Sequence, residues 1–448
     1  MKTMIEQSKT LPVFGEYDVV IAGGGPSGIA AAVSAARHGA RTLLIEHYGF
    51  LGGMGTAGGV TNFAGLYGRH HGEMQQMVHG VLDDLLPRLE ALGGLNQPQD
   101  GMQGRIRVRS YDVSAYKCAA DQMLDAAGVQ CLFHASAADV LMEGERIAAL
   151  VVETKSGRLA IRGSVFIDCT GDGDVAARAG VPFVVGDGAG SGLFPTAMFR
   201  VGHVDPEPAL AAIGEFSAIN HFMERAHKQQ PDRYQFPREG AILRPQINPT
   251  EWRANVTQLR NAEGGAMNGV DARQLSEGEK EGRRQIVNYF HFLREQVPGF
   301  EKSRIVDIAP QVGIRETRRI EGVYALRGED ILDSARFDDS IGINTWPMEL
   351  HAEGHIDWRF PTDSERPFND LPWRMLVPRK VENLLVAGRC ASMTHEGQSA
   401  ARVSGGCFVM GQAAGTAAAQ AGSGPVQAVD VARLRRSLVA DGVRLQIE

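Results

Sequence analysis

Tyr17-Asp18-Val19-Val20-Ile21-Ala22-Gly23-Gly24-Gly25-Pro26-Ser27-Gly28 begins with six residues of buried-strand composition and runs directly into a glycine loop. From Ile29 to His38 the chain is alanine-rich and helical in composition, with a stop at Gly39, and Arg41 to Glu46 reads as a second apolar strand. Strand, glycine turn, helix and strand in that order predict a parallel sheet joined by a crossover helix. The loop fits G-x-G-x-x-G through Gly23, Gly25 and Gly28, and it stands where that pattern carries weight, after a strand and at the start of a helix. There the first glycine permits the tight turn, the second lets backbone approach a pyrophosphate, and the third allows close strand–helix packing. Pro26 and Ser27 lie in the first helical turn, whose positive end favours phosphate. Glu46, ending the second strand, is placed to accept hydrogen bonds from a ribose diol, where an arginine would have suggested a 2′-phosphate. A glycine turn without ligand explains the loop but not its setting.

This fingerprint alone does not choose between FAD and NAD. The next glycine-rich segment, Leu51-Gly52-Gly53-Met54-Gly55-Thr56-Ala57-Gly58-Gly59, follows closely on the acidic strand end. Here the chain resembles the large flavoprotein superfamily of fumarate reductases, amine oxidases and related enzymes. The resemblance implies that Gly52, Gly53, Met54 and Thr56 run along the pyrophosphate and ribityl chain of FAD. Phe166-Ile167-Asp168-Cys169-Thr170-Gly171 resembles the strand that ends in Thr-Gly beneath the cofactor, which implicates Thr170 and Gly171. Asn383-Leu384-Leu385-Val386-Ala387-Gly388-Arg389 resembles the C-terminal strand and turn that hold the ribityl chain, which implicates Gly388 and Arg389. With the segments 306–320 and 337–341 and the run Ala387-Gly388-Arg389-Cys390, the chain closely resembles a bacterial family of FAD-dependent oxidoreductases related to fumarate reductase, over nearly its whole length. Covalent flavin would need a histidine near the second glycine motif. Met54, Thr56 and Ala57 stand there, so noncovalent FAD is expected.

The implied fold is α/β: a Rossmann-like FAD-binding domain with a β-meander, and an α+β substrate domain inserted in the chain. The expected division is 1–185 for the first FAD-binding segment, 186–376 for the substrate or cap domain, and 377–448 for the returning segment. A helix is expected over Ser114–Ala127, then short strands near Val129–His134, Ala148–Thr154, Leu159–Arg162 and Val165–Asp168. Polar helices over Pro206–Gln229 and Ser276–Gln296 and a strand at Ile305–Ile308 mark the middle. Strand Asn383–Ala387 and an alanine-rich helix over Gly406–Gln420 close the chain, while the glycine-dense 49–72 is expected to be irregular.

Flavin supplies the hydride chemistry, and the protein supplies binding, orientation and electrostatics. Gly405-Gly406 opens the last helix, and an N-terminus aimed at the flavin would stabilise the charge of reduction. By resemblance, a histidine and an arginine just before this glycine pair contact a substrate carboxylate. The matching residues are His395 and Arg402, spaced more widely than H-x-x-x-R; a capping histidine with a structural arginine is the competing reading. Arg315, Arg318 and Arg319 form a second cationic cluster beside Glu316 and Glu321. Arg315 is its functional candidate, and the rest reads as an ion-pair network.

No metal site is expected: His70, His71 and His79 lack a completing carboxylate or cysteine, and Gly354 weakens a helix that would pair His351 with His355. The 186–192 glycine run does not read as a second nucleotide site, and Cys118, Cys131, Cys169, Cys390 and Cys407 include no redox C-x-x-C pair. Pyridine-nucleotide disulfide reductases have both features.

Composition bounds the partners. The 46 Lys and Arg against 53 Asp and Glu give a formal charge of -7, which argues against a nucleic-acid face. Hydrophobic residues at 43% suit a sizeable core, and 54 glycines in 448 residues mean many close backbone approaches. No run of ~18 apolar residues suggests a membrane span, and the first residues, MKTMIEQSKTLPVFGE, lack a signal-peptide core. A cytoplasmic FAD-dependent oxidoreductase is expected, working on a small, anionic organic substrate with an unidentified electron donor or acceptor. The alternatives are a non-catalytic FAD sensor or structural subunit, and a thiazole-synthase-like modifying enzyme. Substrate-dependent bleaching separates the sensor from an enzyme.

Overall fold

The computed structural model describes Met4, residues 8–188, 192–214, 219–445 and Ile447. Its centre is a seven-stranded sheet. The strand Val13–Ala22 lies between Thr42–Ile45 and Gly157–Asp168, all parallel, with Gln130–Leu132 beyond the former. The apolar runs of these strands are buried, as a sheet covered on both faces requires. Gly157–Asp168 changes partner along its length. Its first half pairs antiparallel with Arg146–Thr154, which continues the meander to Ser136–Glu143, and its last three residues pair parallel with Leu384–Val386. Two strands were expected here. Gly163 lets one continue, because a Cβ at that position would come within 2.8 Å of Val20 Cγ2.

Register sets the site. Ala22 is opposite both Ile45 and Asp168, and Asp168 is opposite Val386, so four parallel strands end along one line. The loops that follow all emerge at the carboxyl edge, where open α/β sheets bind ligands.

The helix Pro26–Arg37 packs against the closing helix Ser404–Ala421 at very short range. A Cβ on Gly411 would be 2.1 Å from the Ser27 carbonyl oxygen, and one on Gly415 equally close to that of Ala31. The Ser34 and Thr416 hydroxyls share a 2.7 Å hydrogen bond across the same interface. This packing, not sequence adjacency, brings both chain ends into one unit.

A second hydrophobic core runs from Ala197 to Ile314. It joins a four-stranded antiparallel sheet, ordered Ile242–Pro245, Trp252–Asn255, Phe199–Gly202 and Arg304–Ile308, to the helix Ala272–Gln296. Asp271 caps that helix by accepting from the Arg273 and Gln274 amides. Residues from Ile320 onward return to the first core. A hairpin, Met348–His351 with Ile356–Arg359, links the two cores. Near its tip Gln258 Nε2 donates to the Ala352 carbonyl at 2.8 Å, and Gly354 N donates to Gln258 Oε1 at 3.1 Å.

Two other expectations change. The glycine-dense stretch contains the short strand Tyr67–His70, paired with Glu73–Gln76 across a turn in which His71 and Gly72 have φ of 48° and 77°. The span 206–229 holds two helices, Pro206–Ile213 and Asn220–Gln229, with 215–218 outside the described residues. Part of the 186–192 glycine run also falls outside them. No helix among the described residues is long and apolar enough to cross a membrane.

Replacing Gly415 by Val forces the two helices apart. Urea unfolding followed by circular dichroism is expected to show a loss of ~1–3 kcal/mol or more, the usual range for overpacking.

Candidate functional site

A cavity of about 550 Å³ opens at the carboxyl edge, within the range of small-molecule and cofactor sites. It begins at the first glycine loop and passes Gly53, Met54, Thr170 and Arg389 before ending against the second core.

The three fingerprint glycines divide by role. A Cβ on Gly23, whose φ is +99°, would sit 2.4 Å from the Cys169 carbonyl oxygen, and one on Gly28 would be 1.8 Å from that of Gly23. Those two are required by the protein's own backbone. At Gly25 the nearest atom to a Cβ would be Gly53 Cα at 3.7 Å, so glycine there keeps cavity space open for something outside the chain. The helix behind it has Pro26 in its first turn and no side-chain N-cap bond, which leaves its amino end to a ligand. Glu46 is 3% exposed; its Oε2 accepts from Gly24 N at 2.6 Å and its Oε1 from Tyr48 N at 2.9 Å. A carboxylate offers about four lone pairs, so capacity remains for ribose hydroxyls. Tyr48 and the segment Ala135–Ala137 complete this end, and the sequence had not singled out either. These features fit an adenine dinucleotide.

Other expected cofactor residues act one layer back. The Thr56 hydroxyl donates to the Leu51 carbonyl at 2.7 Å, and a Cβ on Gly52, with φ +107°, would strike Thr56. They shape the loop that presents Gly53 and Met54. Thr170 Oγ1 donates to Asp168 Oδ1 at 2.7 Å, and Ala176 N donates to Oδ2 at 2.9 Å. Burial nevertheless pushes the Asp168 carboxyl up to about 6. Gly388, with φ +92°, approaches Ser27 where a Cβ would lie 2.3 Å from its hydroxyl. The Arg389 guanidinium donates to the Gly171 and Ile314 carbonyls at 2.9 and 3.0 Å and pairs with Asp172 at 2.7 Å. Arg389 thus borders the cavity as a brace between three segments.

Gly405 and Gly406 do not line the cavity. Gly405 N donates to the Ala64 carbonyl at 2.9 Å, and Cβ atoms on the two glycines would be 1.9 Å from Gly65 O and 2.4 Å from Ala401 O. Their place is taken at the cavity wall by Arg402, Val403, Ser404 and Cys407. His395 lies outside the wall too. Its Nδ1 is 2.9 Å from Glu316 Oε2, in a buried cluster where Glu316 also pairs with Arg319 and accepts from Leu193 N. Burial first, and Arg319 second, hold the His395 imidazole below its ordinary range.

Arg402 and Arg315 do reach the cavity. Arg402 Nε and Nη2 are buried with no hydrogen-bond partner among the described residues. Arg315 donates to the Phe194 carbonyl and, at 3.3 Å, to Asn255 Oδ1. Beside them are groups the sequence reading missed. Arg244 and Arg253 are directly opposite on adjacent strands and both line the cavity. Arg253 is 4% exposed and donates to Asn62 Oδ1 at 2.9 Å; burial lowers its pKa to about 10. The available signal was an arginine inside each of two apolar strands, Ile242-Leu243-Arg244-Pro245 and Trp252-Arg253-Ala254-Asn255. His351, weighed only as a metal partner of His355, has Nε2 3.1 Å from Glu349 Oε1, while Trp346 Nε1 donates to Glu349 Oε2 at 3.0 Å. His355 instead sits on the exposed side with Nδ1 against the Glu353 carbonyl. Burial, then Arg315, pushes His351 well below its ordinary value, so Glu349 is ionised and His351 neutral at pH 7.

The family model described as FAD dependent oxidoreductase matches residues 18–438. The chain belongs to that family of FAD-dependent enzymes, and FAD is its cofactor. The fold is shared with BexE, a protein studied for oxidation during BE-7585A biosynthesis, at 13% identity and a TM-score of 0.50, covering 94% of this chain and 65% of that one. A geranylgeranyl bacteriochlorophyll reductase-like protein from Thermoplasma acidophilum aligns with a TM-score of 0.48 at 14% identity, over 95% of this chain and 83% of that one. A dihydrolipoyl dehydrogenase from Trypanosoma brucei brucei is 49% identical over 45 residues, 10% of this chain and 9% of its own length.

Because the native state holds His351 neutral, stability falls as pH drops below the unfolded value of ~6.5. The slope for one such group is about 1.4 kcal/mol per pH unit. His351→Gln is expected to lose less stability than the parent between pH 7 and pH 5, measured as the shift of the urea midpoint. An equal loss in both would contradict the neutral assignment.

Proposed function

We propose that this member of the FAD-dependent oxidoreductase family moves a hydride between noncovalently held FAD and a small anionic organic molecule. FAD, when bound, supplies the hydride acceptor or donor. The observation that carries the substrate reading is Arg402: two guanidinium nitrogens buried at a cavity wall without partners. Burying such donors unpaired is costly, and a carboxylate or similar anion would satisfy both. Arg253 and Arg315 add positive charge on the same wall, with Glu349 as the nearby counter-charge.

The roles follow from placement. Arg402 and Arg315 hold and orient the anion. His351, kept neutral and aligned by Glu349, takes or returns the substrate proton; with Nε2–H directed at the carboxylate, Nδ1 keeps its lone pair. His395 acts as a positioning residue through Glu316, not by touching substrate. The finer relation to fumarate reductases and succinate dehydrogenases rests on the motif likeness of 51–59, 166–171 and 383–389. The division into 1–185, 186–376 and 377–448 is likewise proposed, with the cap's own core formed by Ala197 to Ile314.

Purified protein is expected to be yellow and to release its FAD on heat denaturation; flavin left attached to the precipitate would refute noncovalent binding. Anaerobic bleaching by a panel of organic acids and their neutral analogues then finds the substrate class. With the bleaching acid in hand, Arg402→Gln should lower kcat/KM roughly ten- to a hundredfold, the value of a charge-assisted bond. Unchanged turnover at unchanged FAD content would rule out Arg402 as the anion ligand.

A further inference from the structure

We propose that the substrate is a planar aromatic anion whose ring lies against Trp346 and Trp358 while its negative group meets Arg402. This rests on the anionic reading above and narrows it to a chemical class.

The cavity wall contains an apolar compartment separate from both large cores. Ala64, Ile106, Val108 and Trp346 form an independent hydrophobic cluster, with Trp358, Phe360 and Val403 packed against it. Most of this cluster borders the cavity, including both tryptophans, Ile106 and Val403. An apolar wall that neither core needs for its own packing is suited to a ligand's apolar body.

The wall is braced from behind. Trp346 and Trp358 meet at 5.9 Å between ring centroids and 62° between planes, and Trp358 stacks on Phe360 at 6.1 Å and 22°. The Arg105 guanidinium lies 3.4 Å over the Phe360 ring. Trp346 is also pinned through its indole N–H to Glu349. Rings held in fixed planes favour another ring over a flexible chain, because stacked or edge-on aromatic pairs gain beyond area burial.

Cationic and apolar compartments meet within one peptide unit. Arg402 presents unpartnered nitrogens, and Val403, the next residue, belongs to the apolar cluster. Glu349 ties the other side together, since one carboxylate holds both Trp346 of the wall and His351 of the proton-handling pair. A ligand spanning this junction has its charge next to its ring, as an aryl carboxylate does.

The test uses FAD-loaded protein and four probes: benzoate, cyclohexanecarboxylate, acetate and benzyl alcohol. Dissociation constants are read from flavin difference absorbance and calorimetry. Benzoate is expected to bind roughly three- to tenfold more tightly than cyclohexanecarboxylate, the scale of an aromatic pair, and more tightly again than acetate or benzyl alcohol. Trp358→Leu should abolish the preference for benzoate over cyclohexanecarboxylate, and Arg402→Gln should weaken both carboxylates alike. Equal affinity for the two ring acids, with both still dependent on Arg402, overturns the aromatic inference and leaves the anionic reading standing. Benzyl alcohol matching benzoate, with no effect of Arg402→Gln, or no carboxylate binding at all, overturns both. Loss of FAD from Trp358→Leu would mean that the wall holds the cofactor and would also overturn the inference.

Discussion

The parallel register of four strands is the constraint on which the rest depends. Ala22, Ile45, Asp168 and Val386 end on one line because backbone ladders fix Val13–Ala22, Thr42–Ile45, Gly157–Asp168 and Leu384–Val386 against one another. A one-residue slip would turn every side chain to the opposite face and move each following loop. The glycine fingerprint, Glu46, Thr170-Gly171 and Gly388-Arg389 come from distant parts of the chain. They meet only because their strands stop together.

Close helix packing locks that arrangement. The glycines of Ser404–Ala421 let its backbone rest on that of Pro26–Arg37, so the last segment seats Val386 beside Asp168 and Arg402 at the far end of the cavity. Glycine lowers helix propensity by about 1 kcal/mol per residue. The approach it permits is what the packed unit needs.

Charge organises the far end. Arg253, Arg315 and Arg402 reach the cavity from three separate segments, and burial lowers the pKa of each. Glu349 is ionised there and keeps His351 aligned, while the neighbouring arginines suppress the imidazolium. A low-dielectric pocket with positive charge in excess stabilises negative charge wherever it appears, on substrate or on reduced flavin.

The sequence by itself determined the FAD-binding half. Strand periodicity, the position of the glycine loop and the acidic strand end are local patterns, and local patterns survive in one dimension. It also determined which residues are glycine, though not why: Gly25 leaves room for a ligand, whereas Gly28, Gly405 and Gly406 make room for backbone. Only the tertiary structure decided the substrate end. Arg244 and Arg253 gain meaning from cross-strand pairing, and His351 from the fold of a hairpin that carries Glu349 two residues away. Likewise His395, close in sequence to Arg402, is turned toward Glu316 and away from the cavity. Contacts between segments separated by a hundred residues or more leave no periodic trace in the chain, so packing alone assigns them.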